Sequence, residues 1–255
     1  MYKIAIFTAD DYTYLFNAWC EFVEKGKEKY QIAGIFVFPD VMKKKKGMAS
    51  YLEYLKIIGP FDFLKLAVKS LWYRIKKENK KYKNFSDLAE KNNIPVFYKN
   101  NPNDSEVVQW VKDNNIDVAL ITFGYIIKLP LIEAVKAAIL NKHSSLLPSF
   151  RGIWPVFWSL MDNNAQIGAT IHIIDKEIDK GEIILQKSYG MLKSISVFDY
   201  YGTIYDDMSG LFLKALDYLR TGERERLENI SANGYFSLPT REQYLKFKNK
   251  GLKFI

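Results

Sequence analysis

Four short apolar runs set the terms for this fold: Lys3 to Thr8 (KIAIFT), Ile32 to Phe38 (IAGIFVF), Asp117 to Thr122 (DVALIT) and Ala138 to His143 (AILNKH). Runs this brief and this continuous suit strands covered on both faces, as parallel strands are. Between them lie stretches with helical spacing at Tyr14 to Val23, Ser86 to Lys91, Ser105 to Lys112 and Leu131 to Lys136, and a further strand is expected at Ile94 to Phe97. Strands alternating with helices predict an α/β fold with a doubly wound, mostly parallel sheet. Ligands bind such sheets beyond the carboxyl ends of the strands, which puts Thr8, Phe123 and His143 at the expected crevice. The first strand-to-helix turn, Thr8-Ala9-Asp10-Asp11-Tyr12, holds no glycine-rich phosphate loop, and its paired carboxylates at a helix start would repel a phosphate.

Beyond the alternating part, Ala169 to Ile174 and Glu182 to Gln186 read as two strands joined by a polar loop over residues 175–181. One helix is expected from Ser196 to Arg220, opened by a capping-box-like Ser196-Val197-Phe198-Asp199 and closed by Gly222. Gly202 and Gly210 inside it imply close packing there. The division expected is a main domain over residues 1–190 and a C-terminal helix with a small appendix over 191–255.

Composition excludes several classes. With 255 residues, 48% hydrophobic and 26% charged, the chain can bury a core without metal or disulfide support. A lone Cys20 cannot form an internal disulfide, and two histidines, His143 and His172, give no metal-ligand pattern, so no metal is expected. The strand at Lys3 begins with no leader pattern ahead of it, and a cytoplasmic location is the expectation. The net charge of +8 is concentrated: residues 43–83 hold 13 Lys and Arg against Glu53, Asp62 and Glu78. Charge confined to one segment is a local device rather than a nucleic-acid-binding surface spread over the fold, so nucleic acid is not an expected partner.

Asn141 and His143 lie two apart at the end of a strand, so both side chains face one side of the sheet. His143 opens the run His143-Ser144-Ser145-Leu146-Leu147-Pro148-Ser149-Phe150-Arg151-Gly152, and Asp179-Lys180-Gly181 follows inside the polar hairpin loop. In these motifs, and in Ile94-Pro95-Val96-Phe97 and the segment Phe123-Gly124-Tyr125-Ile126-Ile127-Lys128-Leu129-Pro130, the chain resembles the folate-dependent formyltransferase family over roughly residues 85–190. The resemblance implies a Rossmann-like formyltransferase fold and N-formyl transfer from 10-formyltetrahydrofolate. It assigns Asn141, His143 and Asp179 as the catalytic trio, and Phe123, Gly124, Tyr125, Ile127, Lys128, Leu129, Ile178 and Asp179 as the donor-binding set. Substrate contacts are expected at Thr8, Ser144, Arg151 and Trp154. Arg151 has a second reading as a loop tether, and Trp154 reads either as core packing or as a stacking surface. His172, flanked by Ile171 and Ile173 in a strand, is expected to be a structural histidine.

The acceptor is read from what the ends of the chain carry. The sequence lacks the glycine-rich first turn of the glycinamide ribonucleotide branch, and about 65 residues follow the second hairpin strand, where the methionyl-tRNA branch has a sizeable RNA-binding domain. It resembles most the sugar N-formyltransferases, with Tyr235-Phe236-Ser237-Leu238-Pro239-Thr240 looking like their tails. A nucleotide-linked amino sugar is therefore the expected small-molecule partner, with a methionyl-tRNA formyltransferase-like enzyme or a non-catalytic folate or nucleotide-sugar binding module as alternatives. Residues 61–77 place Leu64, Val68, Leu71 and Ile75 on one helical face beside Lys65, Lys69 and Lys76. A packed insertion or a homodimer contact is favoured there over a peripheral membrane helix.

Overall fold

The computed structural model describes residues 1–255 except 43, 44, 47, 163, 164, 191 and 193, so the start of the lysine tract lies outside the described residues. β1 (Lys3–Ala9), α1 (Leu15–Gly26) and β2 (Gln31–Phe38) form the opening parallel unit. A short hairpin of β3 (Val41–Met42) and β4 (Lys45–Lys46) leads into the long α2 (Met48–Lys76). Alternation resumes with α3 (Phe85–Lys91), β5 (Val96–Tyr98), α4 (Ser105–Asp113), β6 (Val118–Thr122), α5 (Leu129–Ala134) and β7 (Ala138–His143). β8 (Arg151–Gly152), α6 (Pro155–Met161), β9 (Gly168–Ile173) and β10 (Ile183–Ser188) follow, then α7 (Val197–Asp206), α8 (Met208–Thr221), β11 (Tyr235–Phe236) and α9 (Arg241–Asn249).

Seven strands make one sheet in the order β10-β9-β7-β6-β1-β2-β5. β5, β2, β1, β6 and β7 run parallel, and β9 and β10 complete it antiparallel. The period of two along β1 explains why the strand is apolar throughout: Ile4 and Ile6 enter one core, Ala5 and Phe7 the other. The smaller core packs α4 and α5 on one face, through Val107, Val111 and Leu131. On the other face Trp19, Phe22 and Phe212 meet Phe157, Tyr244, Phe247 and Phe254 in one continuous cluster. The C-terminal segment is thereby built into the same core as β1.

One helix extends beyond the sequence reading and another departs from it. α2 kinks at Gly59, where φ is 79°, followed by Pro60, which has no amide hydrogen to donate. A Cβ on Gly59 would stand 2.9 Å from the Arg241 guanidinium, which itself donates to the Ile57 carbonyl. The single helix expected over Ser196 to Arg220 is two, divided at Asp207, whose carboxylate is held by Lys187 of β10 at 2.6 Å. Its ends are as expected: Ser196 accepts from the Asp199 amide, and Gly222 closes α8 at φ 82°. Gly202 does accommodate a close neighbour, the Tyr73 hydroxyl, but Gly210 faces open space, so the close packing expected around it is absent.

Candidate active site

β7 ends beside β9, and their antiparallel register sets Asn141 opposite His172 and His143 opposite Thr170. The motif after His143 is a pinned loop. Thr170 Oγ1 accepts from the Leu147 amide and donates to the Ser145 carbonyl, and Gln186 Nε2 donates to the Leu147 carbonyl. These buried polar side chains satisfy backbone groups that the turn leaves without partners. The loop then folds back, with Phe150 and Trp154 at positive φ, and β8 pairs with β11 of the C-terminal segment. Gly152 sits at φ 100° with the Phe236 carbonyl oxygen 2.2 Å from where a Cβ would be, so only glycine fits there.

That return path builds the site. His143, buried, donates from Nε2 to the Phe150 carbonyl at 3.0 Å. Its Nδ1 therefore faces Asp179, 3.8 Å from Oδ2. The same Oδ2 accepts from the Gly152 amide at 2.8 Å, which anchors the carboxylate. Asp179 holds a left-handed backbone (φ 53°), and Gly181 behind it approaches the Ile173 carbonyl too closely to tolerate a side chain.

His172 is closer to this chemistry than its sequence context suggests. Its Nδ1 donates to the Ile173 carbonyl at 3.0 Å, leaving Nε2 to accept from the Asn141 carboxamide at 3.1 Å and to face Asp179 at 3.7 Å. The ring thus fixes the orientation of Asn141, which keeps its second amide hydrogen free of that bond. Burial, opposed by the Asp179 charge, pushes the His172 pKa down to about 4, so it is neutral at physiological pH. The signal for it was available in β9, where Thr170 and His172 are polar at alternating positions of an otherwise apolar strand and face the same motif.

A cleft of about 720 Å³ runs past these residues. Asn141, His143, Asp179, Phe123, Gly124, Tyr125, Ile127, Ile178, Ser144 and Trp154 of the expected set line it, as does His172. Four expected contacts do not. Thr8 is fully buried, its hydroxyl accepting from Trp19 Nε1 and donating to the Ala9 carbonyl, so it cannot reach a substrate. Lys128 contributes its amide to Asn103 and Leu129 opens α5, both outside the cleft wall. Arg151 lies outside it too, its backbone paired with Tyr235, which favours the loop-tether reading. Trp154 packs on Tyr54, Phe157 and Phe254, so it is mainly core.

Two polar groups in the cleft went unanticipated. Thr122 Oγ1 is buried without a hydrogen-bond partner among the described residues. Lys142, between Asn141 and His143, is buried with Nζ on the Ser144 hydroxyl at 2.9 Å and 3.3 Å from the centre of the Tyr205 ring. Burial pushes its amine pKa well below the usual lysine range.

A second cavity of about 440 Å³ adjoins the cleft, sharing Asp11, Asp40, Tyr54, Trp154 and Tyr201 with it. Asp10, Tyr12, Tyr14 and Phe198 add to its wall, and α2 roofs it through Phe63, Leu66 and Arg74. Burial raises the Asp11 carboxyl to about 6 and raises Asp40 as well, against hydrogen bonds from the Thr13 and Tyr14 amides to Asp11. Among the described residues there is no cluster of side chains suited to a metal ion.

Comparison with known proteins fits this geometry. Methionyl-tRNA formyltransferase of Fusobacterium nucleatum is 26% identical over 183 residues, 69% of this chain and 59% of that protein. The chain spans about half the length of the curated relatives it matches. Glycinamide ribonucleotide transformylase 1 from Symbiobacterium toebii shares the fold, with a TM-score of 0.60 at 16% identity over 87% of this chain and 89% of that one. A 4-N formyltransferase from Francisella tularensis does so with a TM-score of 0.55 at 18% identity over 92% and 76%. The formyl transferase family model matches residues 67–216, more than half of the sequence and every residue from Asn141 to Asp179. The chain belongs to the formyl transferase family.

Proposed function

We propose that this protein is an N-formyltransferase that moves a formyl group from 10-formyltetrahydrofolate to the primary amine of a nucleotide-linked amino sugar. The observation that carries the reading is the convergence of Asn141, His143 and Asp179 in the wall of a large cleft that adjoins a smaller, carboxylate-lined chamber. The cleft suits a flat heteroaromatic donor: Phe123, Tyr125, Ile127, Ile174 and Ile178 supply apolar walls, and the Thr122 hydroxyl offers a buried polar group still to be matched. The donor supplies an activated formyl carbon and leaves as tetrahydrofolate.

Every other requirement falls on side chains. As the amine attacks, negative charge grows on the formyl oxygen, and the Asn141 amide hydrogen not used by His172 can donate to it, worth roughly 3 kcal/mol when fixed in advance. The attacking nitrogen must lose a proton. In this reading Asp179, anchored by the Gly152 amide, or the Nδ1 face of His143 takes it, supported by their proximity in the cleft wall. Their 3.8 Å separation is longer than a hydrogen bond, as catalytic contacts often are before substrate binds.

Tyrosines and the Asp10, Asp11 and Asp40 carboxylates suit the hydroxyls and amine of a sugar, and Arg74 adds a cation to the same wall. A second reading, formylation of methionyl-tRNA, is favoured by the names of the relatives that match in sequence. One experiment separates them: 10-formyltetrahydrofolate with a panel of amino-sugar nucleotides and with methionyl-tRNA, using His143→Asn as control. Formylation of an amino sugar, abolished in the control, is the expected result. Formylation of methionyl-tRNA alone would replace the acceptor, and full activity of His143→Asn would overturn the mechanism.

A further inference from the structure

The stretch of α2 after its kink, residues 60–76, is held to the body by one face only. Phe63 and Leu66 pack against the larger core, and Tyr73 meets Tyr14 and Phe198 edge-on or tilted. Lys69 pairs with Asp199 at 2.8 Å, and Lys77 pairs with Asp206. The opposite face carries Phe61, Leu64, Val68, Leu71, Trp72 and Ile75, each between 55% and 71% exposed. Their spacing of 3, 4, 3, 1 and 3 residues keeps all of them in one stripe, about 100° wide and about 21 Å long. Sequence periodicity found part of this stripe and favoured burying it. The structure turns it outward.

Along one flank of the stripe, Lys65 lies over the Phe61 ring at 4.4 Å and Lys76 over the Trp72 ring at 4.9 Å. Neither makes an ion pair among the described residues. A contiguous apolar surface of this size is unusual on a protein that meets only water. We propose that residues 60–76 form an interfacial helix that seats the protein on an anionic bilayer, with the apolar stripe in the acyl boundary and Lys65 and Lys76 at the headgroups. Both ammonium groups, held over aromatic rings at the edge of the stripe, put positive charge where apolar surface would meet the headgroups. Spanning is not at issue, because no described helix is long and apolar enough to cross a membrane.

Charge selects the bilayer over a second copy of this chain. Lys65 and Lys76 flank the stripe with no ion pair among the described residues, and a two-fold contact through it would bring those charges against their own copies. An anionic surface attracts the same charges. The helix also roofs the smaller cavity through Phe63, Leu66 and Arg74, so docking sets that chamber at the membrane surface. Vesicle binding is measured without any substrate and stands apart from the acceptor assignment.

Co-sedimentation of the full chain with extruded vesicles tests this, comparing phosphatidylcholine alone with a 7:3 mixture of phosphatidylcholine and phosphatidylglycerol. The protein is expected to sediment with the anionic vesicles and at least tenfold less with the neutral ones. The Leu64→Ser, Val68→Ser, Ile75→Ser triple variant should lose binding at unchanged circular dichroism. Should that variant fail to fold, Lys65→Gln with Lys76→Gln is the second arm, with an expected loss of about 25-fold, since each lysine near an anionic surface contributes about fivefold. Wild-type protein left in the supernatant with anionic vesicles would overturn the proposal. So would binding indifferent to both sets of substitutions, or a lipid-free dimer, seen by sedimentation velocity, that the serine variant dissociates.

Discussion

Gly181→Ala tests whether the loop that carries Asp179 is positioned by steric contact with β9. An alanine Cβ would stand 1.8 Å from the Ile173 carbonyl oxygen and 2.9 Å from its carbon. A carbon–oxygen contact settles near 3.3 Å, so the loop must retreat by about 1.5 Å. Ile173 cannot follow easily, because its amide donates to Glu182 across the hairpin and its carbonyl accepts from His172. The displacement therefore falls on the segment holding Asp179, whose carboxylate now sits 2.8 Å from the Gly152 amide. A misplacement of about 1 Å at a reacting group costs on the order of 100-fold in rate, or about 2.7 kcal/mol at the transition state. Initial rates of formyl transfer at saturating donor, with the acceptor found in the panel, measure it, and thermal unfolding checks that the fold survives. Gly210→Ala is the paired control: it faces open space in α8, so activity should hold while stability rises by about 0.5–1 kcal/mol. Gly181→Ala activity within threefold of the parent would refute the steric account of that glycine.

Three further outcomes follow from the buried groups. His172, with its pKa pushed from 6.5 down to about 4, stays neutral in the folded protein while the unfolded chain protonates. Its titration therefore removes stability as pH falls from 6.5 to 4, by up to about 3 kcal/mol, and urea unfolding of His172→Gln should lack that loss relative to the parent. Burial likewise pushes the Lys142 amine pKa well below its ordinary range in the folded protein, while the unfolded chain protonates normally. Lys142→Met should raise the melting temperature at pH 7, with the gain fading as pH rises through the unfolded lysine's ordinary range, as read from paired melting curves. Burial pushes the Cys20 thiol up to about 12, so a disulfide reagent should label it at least about 100-fold more slowly in native protein than in denaturant.

How much of this was legible depends on the range of the interaction concerned. β1, β6, β7 and the second half of β2 were readable because they are buried on both faces, where an uninterrupted apolar run is the pattern that fits, whereas the edge strand β5 is only partly buried. Helix ends were readable where a side chain or a glycine closes them locally, as Ser196 and Gly222 do. Asp207 was not, because its partner Lys187 is on a strand that only the tertiary fold brings near. The catalytic constellation divides in the same way. Asn141 and His143 share a face through strand parity, a local rule, and the Asp179 motif came from resemblance. His172 reaches Asn141 through the β7–β9 register, which no spacing along the chain encodes. Thr8 fails for the converse reason: it ends at the expected crevice, but Trp19 from the next helix uses its hydroxyl.

The insertion shows where sequence periodicity stops being informative. A helical wheel over residues 60–76 finds an apolar face at Leu64, Val68, Leu71 and Ile75, yet Phe63, Leu66 and Tyr73 are apolar on the other side. With apolar residues on both sides, periodicity cannot say which face the protein claims. The decision is made by partners distant in sequence: Tyr73 fits over Gly202, where a Cβ would stand 2.8 Å from its hydroxyl, and Lys69 and Lys77 reach carboxylates on α7. Those contacts fix the rotation of the helix, and the rotation leaves the larger apolar stripe outside. The anchoring contacts and the exposed stripe thus lie on opposite faces of one helix and can be perturbed separately. Tyr73→Ala would loosen α2 from α7 and open the roof of the smaller cavity, so it should impair acceptor use while sparing vesicle binding. The serine variant of the stripe should do the reverse.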